Sequence, residues 1–268
     1  MRPYRIMGVL NVTPDSFSDG GEWFDFEAAV ERGRVLVAEG ADIVDVGGES
    51  TRPRANPVAE GEELRRVVPA VEALGGLGAQ ISVDTMKPAV AAAAIAAGAS
   101  YVNDVTAFRH DPAMAGLVAD RGCDCCLMHM LGEPRTMQDD PRYDDVVDEV
   151  KAFLAERAAF AVREGIAESR IQVDPGVGFG KTIAHNLELL RRLDEIVALG
   201  FPVVVGTSRK SFLGRLTGRE DPHDRVAATV ATSVMALERG AAVFRVHDVA
   251  ATADALAVTA ATLAAHGA

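Results

Sequence analysis

The residues of this chain that are able to do chemistry fall into three kinds, and each kind recurs at the end of a short apolar run. Asp84, Asn103 and Asp174 supply donors and acceptors that suit a flat heterocycle with amide and amidine edges. A carboxylate buried at such a place is costly unless a ligand or partner satisfies it. Arg52, Lys210, Arg245 and His247 are cationic and suit a phosphate or a carboxylate, which arginine grips bidentately. Met128, Phe179, Pro53 and several glycines are apolar or small, and let a ring and a backbone come close. Taken one at a time, such residues have plainer readings. Asp104 or Asp248 after a strand serves as a helix N-cap. His129 and His247 serve as hydrogen-bonded structural histidines, and Thr207 and Ser208 as partners of loop amides. Gly178 to Thr182 lacks the spacing of a phosphate-binding P-loop. Cys123, Cys125, Cys126 and His129 lack zinc-site spacing, and alternate residues on a strand face opposite ways, so buried thiols are expected. The plain readings fare badly against all the strand ends at once.

The elements that must position these groups recur along the chain. A helical stretch ends in Gly, the expected left-handed cap, and a β-branched run follows. The hand-overs are Gly40 into 43–46, Gly76 into 81–83, Gly98 into 101–102, Gly122 into 125–128, Gly165 into 171–173, Gly200 into 203–205 and Gly240 into 243–246. With the opening run 5–10 they make eight strands. Leu64, Val67, Val68, Val71 and Leu74 share one helical face over 60–74, where Pro69 predicts a kink or a late start. Val146, Val147, Val150, Phe153 and Leu154 repeat the pattern over 143–164. Asp111 and Pro112 read as an N-cap and a first helical residue, and the Ala-rich run 89–97 as a helix packed closely on a sheet. Short, continuous apolar strands belong to parallel sheets covered on both faces. Eight β-α units in about 250 residues predict an α/β fold, a single (β/α)8 TIM barrel whose active site lies at the C-terminal ends of its strands. A doubly wound open sheet is the alternative, but it would gather its polar residues at one switch point. No linker divides residues 1–268, so one domain is expected. Loops 11–24, 47–60 and 129–143 are long for βα connections, as lids are.

Composition narrows the partners. Hydrophobic residues make up 49% of the 268 and charged residues 25%, with 27 basic against 39 acidic and a net charge of −12. An acidic surface excludes nucleic acid or an anionic membrane as the main partner, while a locally basic site leaves small anions open. No apolar run approaches the ~18 residues that span a bilayer, and the first residues lack a signal peptide's apolar stretch. A cytoplasmic location is expected.

In their order and spacing, the segments Gly8 to Gly21, Asp42 to Pro53, Asp174 to Lys181, Ser208 to Phe212 and Arg245 to Asp248 resemble the signatures of the dihydropteroate synthases, over essentially the full length. The resemblance implies that (7,8-dihydropterin-6-yl)methyl diphosphate condenses with 4-aminobenzoate to give 7,8-dihydropteroate and pyrophosphate, in tetrahydrofolate biosynthesis. It implies that Asp174 and Asn103 hold the pterin's amino and ring-nitrogen edge, with Asp84 near the reacting side and Gly206 in the same pocket. Met128 and Arg245 sandwich the ring, and Lys210 contacts it beside the incoming aminobenzoate. Asn11 binds the Mg2+ that partners the pyrophosphate, and Arg52, Arg245 and His247 bind that group too. Thr51, Pro53, Phe179, Lys210 and Ser211 line the aminobenzoate site. Asp19, Arg52 and Thr51 belong to two mobile loops, and the implied catalytic set is Asp84, Lys210, Asp19 and Arg52. A homodimer through helices far from these loops is implied as well.

Loss of pyrophosphate leaves a cation that an electron-rich ring stabilises, so an SN1-like transfer to the weakly basic arylamine is expected. Residues 105–110 depart from the commoner glycine-containing version of that loop, away from the pterin contacts. The Ser208 to Ser211 segment is unaltered and no insertion lies near it, so sulfonamides are expected to compete with 4-aminobenzoate. A pterin-dependent methyltransferase shares the barrel and pocket, but does not need the Asp15 to Gly21, Ser208 to Ser211 and Arg245 to Asp248 segments together. A catalytically silent pterin-binding paralogue would have lost loop residues, whereas Asp19, Arg52 and Lys210 are present.

Overall fold

A computed structural model of the chain describes residues 2–13, 22–52 and 55–265. All eight apolar runs form strands: β1 (Arg5–Asn11), β2 (Ile43–Gly47), β3 (Gln80–Asp84), β4 (Tyr101–Asp104), β5 (Asp124–Met128), β6 (Ile171–Asp174), β7 (Val204–Val205) and β8 (Val243–Val246). Between and after them lie α1 (Glu22–Ala38), α2 (Glu60–Leu74), α3 (Pro88–Ala96), α4 (Ala113–Arg121), α5 (Val146–Arg163), α6 (Ile183–Arg191), α7 (Leu193–Val197), α8 (Ser211–Thr217), α9 (Val226–Glu238) and α10 (Val249–Ala265). The strands are parallel in the order β6-β5-β4-β3-β2-β1-β8-β7. A single parallel bridge, Val173 to Val203, joins β6 to β7, backed by a hydrogen bond from the Val173 amide to the Pro202 carbonyl at 3.0 Å. That seam closes the sheet into a barrel and rules out the open doubly wound alternative.

Strand side chains alternate between two faces. The outward set includes Ile6, Val44, Val46, Ile81, Val83, Val102, Cys125, Leu127, Ile171, Val173 and Phe244, which pack under the helices in the main core. The inward set Met7, Ile43, Tyr101, Cys126, Val204 and Val243 forms a second apolar cluster. This cluster plugs the barrel, and each fully buried large side chain in it contributes about 1.5–3 kcal/mol. The Tyr101 phenol hydroxyl donates to Gln172 Oε1 at 2.9 Å, so the plug carries no orphaned hydroxyl. Cys125 and Cys126 sit on opposite faces, and all three cysteines are free and buried.

Three helix starts differ from expectation. α2 begins at Glu60 and runs through Pro69 to Leu74, so the proline does not delay it. Its first turn carries Glu60, Glu62 and Glu63, which complement the helix dipole. α4 begins at Ala113, with Pro112 as the cap residue. Asp111 still accepts the Ala113 amide at 3.0 Å, so the capping bond exists one residue outside its expected place. α5 begins at Val146 under an Asp145 cap that accepts from the Val147 and Asp148 amides. Tyr143 stays in the preceding loop, and its hydroxyl donates to the Gly180 carbonyl at 2.8 Å. Among the described residues, no helix is long and apolar enough to cross a membrane.

Candidate active site

Two residues beyond the plug, every strand presents the same inward face again. Met7, Ile43, Tyr101, Cys126, Val204 and Val243 are thereby followed by Val9, Asp45, Asn103, Met128, Gly206 and Arg245. Asp84 and Asp174 join them as the last residues of β3 and β6. The barrel interior thus turns from apolar to polar in one step, toward the C-terminal ends of the strands.

Asp45 is the hub of this level and is fully buried. It accepts from Ser82 Oγ at 2.6 Å, from Asn103 Nδ2 at 3.1 Å and from Arg245 Nε at 2.7 Å. Arg245 Nη2 donates to Asp84 Oδ2 at 2.6 Å. Burial works against the Arg245 charge, but Asp45 and Asp84 outweigh it and hold the guanidinium above its ordinary value. Burial pushes the Asp84 carboxyl up to about 7; Arg245 pulls against that, and Asp45 adds to it. The guanidinium of Arg245 therefore sits between two carboxylates, one of which also holds Asn103.

The opposite wall is built from β6 and β7. Asp174 accepts the Gly176 amide at 2.7 Å; burial raises its carboxyl, and Lys210 offsets part of that. Lys210 caps α8, and its Nζ donates to the Val177 carbonyl and lies 4.6 Å from the centre of the Phe179 ring. Burial pulls the Lys210 ammonium down to about 8, with Asp174 resisting. Gly178 passes under Lys210 at a φ of +88°, and a Cβ there would lie 2.9 Å from Lys210 Cδ. Only glycine combines that backbone conformation with that approach. Gly206 lies between the two cations, its would-be Cβ 3.7 Å from Arg245 Cβ and 4.0 Å from Lys210 Nζ. Met128 packs with Val105, Met130, Met137 and Phe179 in an apolar lip.

His247 departs from its expected cationic role. The Ser208 hydroxyl accepts the His247 backbone N–H at 3.0 Å and shares a second hydrogen bond with the ring at Nδ1, 2.9 Å away. Burial, then Arg245 and Arg209, push the imidazole down to about 3, so His247 is a neutral donor. The Arg52 charge is also felt at His247, although the Arg52 side chain is exposed on the β2–α2 loop, next to half-buried Thr51. Ser211 is exposed at the first position of α8. Asn11 ends β1, half-buried. Asp19 and Pro53 lie outside the described residues.

Some polar strand-end residues are structural. Asp104 accepts from the Thr106 amide and hydroxyl and the Phe108 amide, and so staples a turn. Asp248 is gripped by Arg209 through two bonds, at 2.9 and 2.5 Å. His129 faces the buried Lys181 Nζ at 2.9 Å, and burial holds its ring down to about 2. Asp45 is a site residue that the sequence reading missed. Its signal was a lone carboxylate inside an otherwise apolar strand, a place no carboxylate occupies without dedicated partners.

Among the described residues no group of His, Cys, Asp or Glu could hold an ion by itself. The Asn11 amide oxygen is a single hard donor, which suits Mg2+ that takes its other ligands from phosphate and water.

The family described as pterin binding enzyme matches residues 7–247. The dihydropteroate synthase of Escherichia coli K12 is 45% identical over 262 residues, 97% of this chain and 92% of that one. A probable bifunctional folylpolyglutamate synthase/dihydropteroate synthase of Haloferax volcanii is 51% identical over 91% of this chain, which spans 29% of that longer protein. The Xanthomonas albilineans dihydropteroate synthase solved with 4-aminobenzoic acid superposes with a TM-score of 0.92 at 52% identity, covering 97% of this chain and 93% of that one. With its polar strand ends set over an apolar plug, this chain belongs to the pterin binding enzymes, among the dihydropteroate synthases.

Proposed function

We propose that the chain condenses (7,8-dihydropterin-6-yl)methyl diphosphate with 4-aminobenzoate, releasing pyrophosphate and 7,8-dihydropteroate. The observation that carries this reading is the cluster of Asp45, Asp84, Asn103, Arg245, Asp174 and Lys210 at one level of a barrel, in a chain 45% identical to a dihydropteroate synthase over 97% of its length. Asn103 and Asp174 supply the amide and carboxylate for the pterin's amino and ring-nitrogen edge. Met128 and Arg245 offer an apolar and a cationic surface to the ring. Asp84, ionised above about pH 7, favours positive charge at the methylene as the carbon–oxygen bond to the diphosphate breaks. Lys210 donates to the ring while Phe179 and the exposed Ser211 line the approach of 4-aminobenzoate. Neutral His247 offers a ring hydrogen bond, and Arg52 brings charge from the rim, to the departing diphosphate. The arylamine nitrogen then bonds to the methylene carbon and gives up its proton to solvent.

Mg2+, held by Asn11 together with the diphosphate, would neutralise charge on the leaving group. Asp19, Thr51 and Pro53 complete the proposed site from the two loops. Sulfonamides, as 4-aminobenzoate mimics, would compete for the same place. The proposed setting is one domain acting as a cytoplasmic homodimer. The test is an assay with both substrates and Mg2+ that follows pyrophosphate and dihydropteroate together, with Lys210→Ala as control. Product that needs every component and collapses in the variant supports the reading; no product from the unaltered protein overturns it. A secondary isotope effect near unity at the methylene would rule out the SN1-like step.

A further inference from the structure

The β2–α2 loop carries Thr51 and Arg52, and both of its ends are tied to one buried charge cluster that the chemistry above leaves unused. Glu49, at the first end, accepts the backbone N–H of Val58, at the second end, at 3.3 Å. Lys87 Nζ donates to the Val58 carbonyl at 2.8 Å and ion-pairs with both Glu49 and Glu63. Lys87 therefore reaches both sides of the loop's base. Arg66 Nη1 holds the Gly48 carbonyl at 2.9 Å, just before the loop leaves the barrel. Glu63, fully buried in the first turn of α2, accepts from Thr85 Oγ1 at 2.7 Å. Thr85 follows Asp84 directly, and its hydroxyl also accepts the Lys87 backbone N–H at 3.2 Å.

Burying two carboxylates and an ammonium costs several kcal/mol per ion before pairing, and well-packed apolar residues would hold two helix ends together as firmly. Directional bonds from one ammonium supply something apolar packing does not: a fixed separation between Glu49 and Val58, and a fixed reference to the strand that bears Asp84. We infer that Lys87, with Glu49 and Glu63, is a positioning group that sets the neck of the β2–α2 loop, so that Thr51 and Arg52 are delivered over the mouth in which Asp84 stands. Lys87 touches no substrate and acts through Glu49 and the Val58 carbonyl. The inference rests on the proposed role of Thr51 and Arg52 toward 4-aminobenzoate and the diphosphate.

The experiment compares Lys87→Met, which keeps the stem and removes the ammonium, with Lys87→Arg and with Glu49→Gln, which keeps an acceptor for the Val58 amide. Each protein is measured for its Michaelis constant toward 4-aminobenzoate, for the Kd of the pterin diphosphate and for amide hydrogen exchange over residues 48–58. Lys87→Met is expected to raise the Michaelis constant for 4-aminobenzoate about tenfold and leave the pterin Kd within about twofold, because the neck orients the loop and not the barrel floor. Exchange over 48–58 quickens in the same variant. Glu49→Gln moves the same readouts in the same direction, and Lys87→Arg recovers most of the loss. An unchanged Michaelis constant for 4-aminobenzoate, or equal losses for both ligands, overturns the inference, and Glu49→Gln is judged by the same rule if Lys87→Met does not fold. If the unaltered protein forms no dihydropteroate, it is the functional reading that fails. Exchange then judges the neck alone: quickening confined to 48–58 upholds it, and its absence removes it.

Discussion

Replacing Gly178 by alanine separates backbone strain from damage to the site, because Gly218 provides a matched control. Gly178 has a φ of +88° and Gly218 a φ of +69°. A residue with a Cβ costs roughly 1–2 kcal/mol in that region, so both substitutions carry a similar backbone penalty. At Gly218 the new methyl meets nothing within 4 Å, whereas at Gly178 it lies 2.9 Å from Lys210 Cδ. Carbon atoms rest at about 3.5–4.0 Å, so Lys210 must retreat by roughly 0.6–1 Å. Its Nζ then leaves the Val177 carbonyl and the Phe179 ring. A displacement of about 1 Å at a reacting group costs on the order of 100-fold, so kcat/KM of Gly178→Ala is expected to fall ten- to a hundredfold. Gly218→Ala should stay within about twofold of the unaltered enzyme. Both should melt lower by about 2–8 °C, the shift that 1–2 kcal/mol produces at this chain length. Steady-state kinetics and thermal melting on the two variants decide the matter. Equal kinetic losses in both, or full activity in a Gly178→Ala protein that melts like Gly218→Ala, would refute the reasoning.

Asp45→Asn keeps the shape of the hub and removes its charge, leaving Arg245 with Asp84 as its one paired carboxylate; urea unfolding should show a loss of about 2–4 kcal/mol, and calorimetry an affinity for a pterin lowered more than tenfold as the Arg245 guanidinium loses half of its charge pairing. A stability change below about 0.5 kcal/mol would reject the hub. The free enzyme's kcat/KM should fall above about pH 8 as Lys210 loses its proton and below about pH 7 as Asp84 gains one. Lys210→Arg should abolish the alkaline limb, and a limb that persists in that variant removes the assignment. Stripping Mg2+ with a chelator should abolish turnover and added Mg2+ restore it, with Asn11→Ala needing on the order of tenfold more; an unchanged Mg2+ requirement in that variant would exclude Asn11 as the ligand.

Much of the architecture was legible because it is local. Glycine caps followed by short apolar runs mark β2 to β8 to within a residue or two, and the helical face of Leu64 to Leu74 marks α2. The polar strand ends were legible too, since Asp84 and Asp174 terminate their strands. The pairings were not. Arg245 finds Asp45 and Asp84 across 200 and 161 residues of sequence, and nothing local to Arg245 announces two carboxylates. His247 reads as a cation because its pull toward neutrality comes from burial and from arginines placed by the fold. Lys87 looks like an ordinary residue before a helix, and only the fold brings it to Glu49 and Glu63, 38 and 24 residues away. Pro69 carries a local penalty, and the packing of α2 against the barrel outweighs it.

The barrel is built like a cask whose last stave is held by one rivet. β7 is two residues long and meets β6 through the Val173 to Val203 bridge, while every other junction is a run of paired residues. Asp174 stands at the end of one stave and Lys210 follows the other, and their charges attract across the joint. A pterin gripped by both, as proposed, would lace the joint from above. Substrate occupancy and wall integrity would then be a single equilibrium, the pterin a hoop for the cask as well as its cargo.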